Sequence, residues 1–245
     1  MDLSTLPVEG GVRQRGEQVT RLETFVDAAF AFAMTLLVVS FNEMPDSFAE
    51  LYDALRRLPA FLAGFAILGM FWQAHNRFSR RFGLEDSTIV FASMLLVAAT
   101  LFYVYPLRMV MSAAMVFFTG GWAPSEFKVQ SFLEFRLIFV IYGVGFAILA
   151  AIIAWMNLHA LRKADALQLD AAERLAAQSE VTLNGVLIAC AAASVAIALL
   201  IPPNIGWLQA LPGSVYALLG IAMPILGIRH GRRIQALAAQ RDVAS

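Results

Sequence analysis

Six long apolar segments constrain this chain more than any other feature of its sequence. Hydrophobic residues occupy 60% of its 245 positions and charged residues only 15%, whereas a soluble domain carries roughly 25% charged residues. A helix that crosses a membrane needs ~20 mostly apolar residues to span about 30 Å of hydrocarbon. Apolar blocks of that length cannot all be buried in one water-soluble core. The sequence therefore predicts an all-α integral membrane protein.

The apolar segments divide the chain into a polar N-terminal arm, residues 1–24, a membrane domain, and a basic C-terminal tail, residues 229–245. The membrane domain, residues 25–228, is predicted to contain six transmembrane helices, at approximately 25–41, 58–76, 87–107, 132–158, 183–201 and 214–228. Asp86 or Ser87 is expected to cap the N-terminus of the third helix, because short polar side chains accept hydrogen bonds from the first free backbone N–H groups.

Lysine and arginine residues are distributed unequally between the connections. Thirteen fall in the arm, the tail, and the second-to-third and fourth-to-fifth connections, and five fall elsewhere. An excess of basic residues marks the cytoplasmic connections of membrane proteins. We therefore expect both termini to lie on the cytoplasmic side of a cell membrane, the inner or plasma membrane of a bacterium, and an even number of spans agrees with that orientation.

The sequence carries no motif for enzymatic chemistry. It contains no zinc-ligand spacing, no phosphate-binding glycine loop and no nucleophile elbow, so we expect no enzyme activity, no cofactor and no bound metal. Basic and acidic residues balance at 18 each, which gives no net charge for binding nucleic acid. The single cysteine, Cys190, lies in an apolar segment and is interpreted as a packing residue.

Very few ionisable residues lie inside the predicted spans, where each is costly and therefore a functional candidate. Asp27 lies near the start of the first span and His75 near the inner end of the second. Arg21 and Asp27 are six residues apart, so they do not face each other as an i,i+4 pair does. We expect partners on another helix, with Trp72 and His75 as candidates. Two roles are open for these polar residues. They form a structural clamp that satisfies buried polar groups, or Asp27 contacts a permeating ion directly.

Phe32, Leu36 and Val39 follow one another at spacings of four and three residues and so share one face of the first helix, with Thr35 beside them. Such a stripe is explained either by packing against neighbouring helices or by lining a narrow pore that apolar rings gate by dewetting. A six-helix chain would have to form an oligomer to surround a pore of this kind.

The pattern Arg21-x-x-x-Phe25-x-Asp27 opens the first span and resembles the Arg-x-x-x-Phe-Ser-Asp signature of the transmembrane protein 175 family of potassium channels. The Trp72-x-x-His75 pair also resembles the pattern of that family, as do the chain length and the six-span layout. The resemblance is to the bacterial members, and it covers about ten specific positions.

This resemblance implies a passive potassium leak channel without a carbonyl-lined filter, and the sequence has no Thr-Val-Gly-Tyr-Gly loop. It implies a homotetramer in membrane lipid, a central pore lined by the first helix, and potassium as the transported ion. Phe32, Leu36 and Val39 correspond to the hydrophobic constriction, and Thr35 to a threonine linked to ion selection. The residues expected to form a structural polar network are Arg21, Phe25, Asp27, Trp72 and His75.

Three positions depart from the family pattern. Val26 replaces the serine of the signature and removes a hydroxyl from the expected polar network. Ala28 stands where glycine is common. Phe32 places an aromatic ring where the constriction has an aliphatic residue, which bears on both conductance and selectivity.

Two other functions are compatible with the sequence. A small secondary transporter or exporter requires a broken helix at its substrate site, and Pro224 or the stretch 64–69 offers a place for one. A charge-free centre of the spans and the lack of a visible internal repeat argue against it. A non-conducting membrane scaffold is the third interpretation.

Overall fold

A computed structural model describes residues 5–38, 46–125, 127, 129–202 and 209–244, with side chains as far as 241. A small antiparallel hairpin, β1 (Val8–Glu9) and β2 (Val12–Arg13), precedes the helices. The helices are α1 (Arg21–Leu36), α2 (Phe48–Phe82), α3 (Ser87–Phe118), α4 (Phe132–Arg162), α5 (Ala171–Leu200), α6 (Leu211–Ala217) and α7 (Leu219–Ala244).

Each of the helices α2 to α5 begins at a polar residue whose side chain accepts a hydrogen bond from the first turn. These caps are Ser47, Asp86, Ser131 and Asp170. Of the two candidates for the third helix, Asp86 is the cap, and its carboxylate accepts from the N–H groups of Thr88 and Ile89. Satisfying otherwise unpaired N–H groups fixes the start of a helix.

Five segments of the described chain are long and apolar enough to cross a membrane, namely α2, α3, α4, α5 and Leu211–Arg241, which contains α6 and most of α7. The chain is therefore a multi-pass membrane protein. The described part of α1 has 16 residues, fewer than a full span requires, and Val39 to Pro45 lie outside the described residues.

The last segment differs from its sequence-based description. The predicted sixth span, 214–228, is divided between α6 and α7, which a turn at Leu218 separates. The tail residues are helical, as their amphipathic pattern indicates, and they are continuous with the last segment because α7 runs to Ala244. The extension is stabilised by Ile234 and Ala238, which are buried in a small apolar cluster with Val12, Ala172 and Ala176.

Helix α1 packs against α2 and α3, whereas α7 packs against α5 and α6. The core between α3, α4 and α6 is aromatic, with Tyr103, Tyr142, Phe146 and Tyr216 in mutual ring contact. Gly143 allows α4 and α5 to approach closely, since a Cβ at this position would lie 2.5 Å from Cγ2 of Val195. Small residues at helix contacts are typical of membrane bundles.

A buried charge cluster, the arm clamp, joins the N-terminal arm to α5 and α7. Glu173 is fully buried and accepts two hydrogen bonds from Arg15, at 2.9 and 3.0 Å. Asp170 bridges Arg13 at 3.4 Å and Arg241 at 2.9 Å. The arm, the start of α5 and the end of α7 are therefore held together by charge-assisted bonds, the stronger class of hydrogen bond in proteins.

The arm leads from this clamp to α1 across the last turns of α2. The Gly16 N–H donates to the carbonyl of Arg80 at 3.0 Å, and the Arg80 guanidinium donates to the carbonyl of Gly16, also at 3.0 Å. Arg81 donates to Glu180 on α5 at 3.1 Å. The polar contacts at this end of the bundle thus connect the arm, α2 and α5.

Asp86 also links two helices at the same end of the bundle. Its carboxylate lies 2.8 Å from Nε2 of His159 and 2.7 Å from Nζ of Lys163. Burial alone would raise the pKa of the Asp86 carboxyl, but the hydrogen bonds from Lys163 and His159 outweigh it and lower the pKa below its usual value. Asp86 is therefore ionised at neutral pH.

Candidate functional site

Helix α1 begins at a capping box. The Glu23 N–H donates to the Thr20 hydroxyl at 3.2 Å, and the Thr20 N–H donates to the Glu23 carboxylate at 3.0 Å. Glu23 is buried, so this reciprocal pair is enclosed by the surrounding chain. It fixes the residue at which α1 starts and hence the register of the side chains along it.

One face of α1 is buried and the other is exposed. Val26, Phe30, Ala33 and Leu37 are buried in the main core at spacings of three and four residues. The opposite face presents the exposed residues Phe25, Ala28, Phe32 and Thr35. We call these four residues the α1 outer face.

Phe32 stands at the centre of the α1 outer face with 58% of its surface exposed. Thr35 is also exposed, and its hydroxyl donates to the carbonyl of Phe32 at 2.7 Å. Because the hydroxyl proton is used within the helix, the oxygen lone pairs remain available to a cation or water. Leu36 is half-buried and packs against the core at the edge of this face. Val39 lies outside the described residues.

The residues of the expected polar network separate into different contacts. The indole N–H of Trp72 donates to the Asp27 carboxylate at 2.8 Å and so ties α1 to α2. His75 is buried, and its Nε2 lies 3.0 Å from the Ser93 hydroxyl on α3. Arg21 is exposed and has no hydrogen bond or ion pair within the part of the chain that the structure describes.

The sequence did not indicate that Ser93 would be the partner of His75. Ser93 is completely buried in an apolar helix, and the only signal for it was a lone hydroxyl residue in an apolar segment. The arm clamp was missed as well. The spacing of Asp170 and Glu173 is that of a capping box, which predicts a helix start but does not identify Arg13 or Arg15 as partners.

The α1 outer face is mostly apolar. No group of three or more His, Cys, Asp or Glu side chains in the described ranges is arranged to hold a metal ion. The α1 outer face combines aromatic and methyl groups with a single hydroxyl. The fold and this face together define a multi-pass helical membrane protein with an apolar helix surface available for assembly or conduction.

Comparisons with known proteins agree with this class. Residues 21–106, which run from the start of α1 into α3, match the family model described as endosomal/lysosomal potassium channel TMEM175. A potassium channel from Marivirga tractuosa is 30% identical over 193 residues, which cover 77% of this chain and 78% of that protein.

A solved structure is also similar. It is a crystal structure of a threonine-to-alanine variant of the potassium channel MtTMEM175 in complex with a nanobody–MBP fusion protein. The match has a TM-score of 0.76 at 26% identity and covers 93% of this chain and 100% of that chain. The chain belongs to the TMEM175 family of potassium channels, as a bacterial member. Members of this family are channels and not enzymes.

Proposed function

We propose that this chain is a passive, potassium-selective leak channel, active as a homotetramer whose pore is lined by the α1 outer face. The exposure of Phe32 and Thr35, on a helix whose other face is buried, is the observation that carries the proposal. Such a face is left uncovered in one chain. Four copies around a symmetry axis would direct it toward a common centre, and closed cyclic symmetry is the usual arrangement of homo-oligomers.

Phe32 is the proposed hydrophobic constriction. Four aromatic rings at one level of a narrow path expel water and create a barrier that an ion passes only when the path wets. Thr35 lies one turn further along, and its free lone pairs would replace part of the hydration shell of a cation. The interpretation from sequence puts Leu36 and Val39 at further constrictions. Because Leu36 is half-buried at the edge of the α1 outer face, we place it at the side of the path, and we keep Val39 as a constriction beyond it.

The Asp27–Trp72 hydrogen bond supports a positioning role for the polar network. At 2.8 Å it holds the start of α1 against α2, and the core contacts of Phe30 fix the rotation of the helix. Rotation decides whether Phe32 faces the axis. We further propose that α1 also crosses the membrane, which brings the number of spans to six. In this proposal both termini are cytoplasmic and the channel lies in a bacterial cell membrane.

Flux through liposomes tests this function. Purified protein should pass potassium faster than sodium, and Phe32→Ala should increase the potassium flux because a smaller side chain lowers the dewetting barrier. Phe102→Ala is the matched control, since Phe102 is 80% exposed but belongs to α3, and it should leave the flux unchanged. Native mass spectrometry should give four subunits.

The proposal fails if both the parent protein and Phe32→Ala give the flux of empty liposomes. A second test replaces Phe32, Thr35 or the buried Ala33 by cysteine in a Cys190→Ser background. Water-soluble thiol reagents should label positions 32 and 35 but not position 33. Labelling of position 33 alone would place the path on the other side of the helix.

A further inference from the structure

The outer side of α7 is a continuous apolar stripe. Ile221, Ile225 and Ile228 are between 51% and 66% exposed, and their spacings of four and three residues place them on one face of α7. Leu218, the turn residue just before α7, is 63% exposed as well. Because α7 packs against α5 and α6 while α1 packs against α2 and α3, this stripe lies away from the α1 outer face. It is suited to contact with acyl chains.

The same face becomes cationic where the apolar stripe ends. Arg229, Arg232 and Arg233 are all exposed, and Arg229 and Arg232 continue the spacing of the stripe. At 1.5 Å per residue, Arg232 lies about 16 Å along the helix from Ile221, roughly half the thickness of the hydrocarbon layer. The three guanidinium groups, the α7 arginine cluster, follow directly after the apolar stripe, so a membrane that covers the stripe would end near them.

Packing on the opposite side of α7 sets the direction of this cluster. Ile234 and Ala238 are buried against Ala172 and Ala176 of α5 and against Val12 of the arm. Residues 229 and 232 lie roughly on the other side of the helix from these two contacts, given 3.6 residues per turn. The rotation of α7 is fixed, and the arginines are held outward.

The α7 arginine cluster differs from most of the basic residues at this end of the bundle, and it groups three arginines on one helix, whereas Arg21 stands alone on α1. Arg15, Arg81, Lys163 and Arg241 are each paired with a carboxylate. Within the described ranges, the arginines of the cluster have no hydrogen bond and no ion pair. They form a concentrated positive surface with no negative partner from the described part of the chain.

We propose that the α7 arginine cluster binds the phosphate headgroups of anionic lipids in the cytoplasmic leaflet, with their acyl chains lying along the apolar stripe. The planar guanidinium donates two parallel hydrogen bonds to phosphate oxygens, and basic residues next to a membrane span attract anionic lipids. The proposal depends on the cytoplasmic orientation of α7 and not on ion conduction.

Native mass spectrometry of the full chain in detergent tests this site without any measurement of flux. The protein is titrated with phosphatidylglycerol or with phosphatidylcholine of the same acyl chains. It should retain phosphatidylglycerol preferentially. The variant R229Q/R232Q/R233Q should weaken that binding by about a hundredfold, because each basic residue near the surface contributes roughly fivefold. Binding of phosphatidylcholine should not change.

The matched control is R229K/R232K/R233K, which keeps the charge and should retain most of the binding. Excess glycerol phosphate should not displace the lipid, because it lacks acyl chains to contact the stripe. Equal retention of phosphatidylglycerol by the parent and the glutamine variant would overturn the proposal, as would displacement by glycerol phosphate. Loss of subunits from the glutamine variant with unchanged lipid binding would identify the cluster as a subunit contact instead.

Discussion

Replacement of Glu173 by glutamine should destabilise the protein strongly. Glu173 is fully buried, and it accepts two hydrogen bonds from Arg15, whose side chain is only 5% exposed. Glu173→Gln leaves the Arg15 guanidinium buried without a counter-charge. Breaking a buried ion pair by removing one partner costs about 3–5 kcal/mol, a large part of the roughly 5–15 kcal/mol by which proteins are stable.

The loss can be measured as a free energy of unfolding in mixed micelles titrated with SDS, followed by the fluorescence of the four tryptophans. Asp165→Asn is the control, because Asp165 is 97% exposed in its ion pair with Arg174, and exposed pairs contribute about 0–1 kcal/mol. Arg15→Gln combined with Glu173→Gln should cost less than the sum of the single changes. Equal losses for Glu173→Gln and Asp165→Asn would refute the assignment of the arm clamp as a buried charge cluster.

Three further predictions concern contacts between helices. Asp27→Ala removes the hydrogen-bond acceptor for Trp72 and should lower the free energy of unfolding by about 1.5–3 kcal/mol. Asp27→Asn keeps a carbonyl oxygen and should lower it less, and unfolding in SDS would measure both variants. Gly143→Ala should lower the free energy of unfolding by about 1–3 kcal/mol, because the added methyl group forces α4 away from α5. The control, Gly185→Ala, has open space at its Cβ and should stabilise its helix by roughly 0.5–1 kcal/mol. Equal changes in the free energy of unfolding for the two variants would contradict the close approach of α4 and α5. The folded state lowers the pKa of Asp86, so its stabilisation is present at neutral pH and is lost in acid. The difference in the free energy of unfolding between the parent and Asp86→Asn should therefore become smaller as the pH is lowered from about 5 to about 3. A difference that does not change with pH would refute the role of Asp86 as an ionised partner of Lys163 and His159.

Hydropathy predicted the membrane class and the approximate positions of the apolar helices, because a span must be both long and apolar. Asp86 was predictable as a cap, since its hydrogen bonds are local. The amphipathic pattern of the tail predicts a helix, but not that this helix is continuous with the last apolar segment. Residues beyond Ile228 are too polar to read as a span, and they stay helical because Ile234 and Ala238 are buried against a segment more than fifty residues away.

The same distinction between local and long-range contacts applies to the candidate site. Helical spacing and the family pattern together predict that Phe32 and Thr35 line a pore, which stays a prediction, and these residues share the exposed face of α1. Trp72 was one of the two partners expected for Asp27, and the structure pairs them. The pairing of His75 with Ser93 depends on how α2 and α3 are rotated against each other, and no pattern within either helix records that rotation.

Because the hairpin of the arm packs against α5 and α7, Val12 meets Ile234 only after the segment between them has been synthesised. Ile234 is synthesised 222 residues after Val12, an interval of roughly 10–45 s at ribosomal rates of about 5–20 residues per second. The contact of Arg15 with Glu173 can form once α5 has been made, but the contacts of Val12 with Ile234 and of Asp170 with Arg241 cannot form until α7 has emerged. A nascent chain that lacks α7 therefore holds its arm by the contacts with α2 and α5 alone.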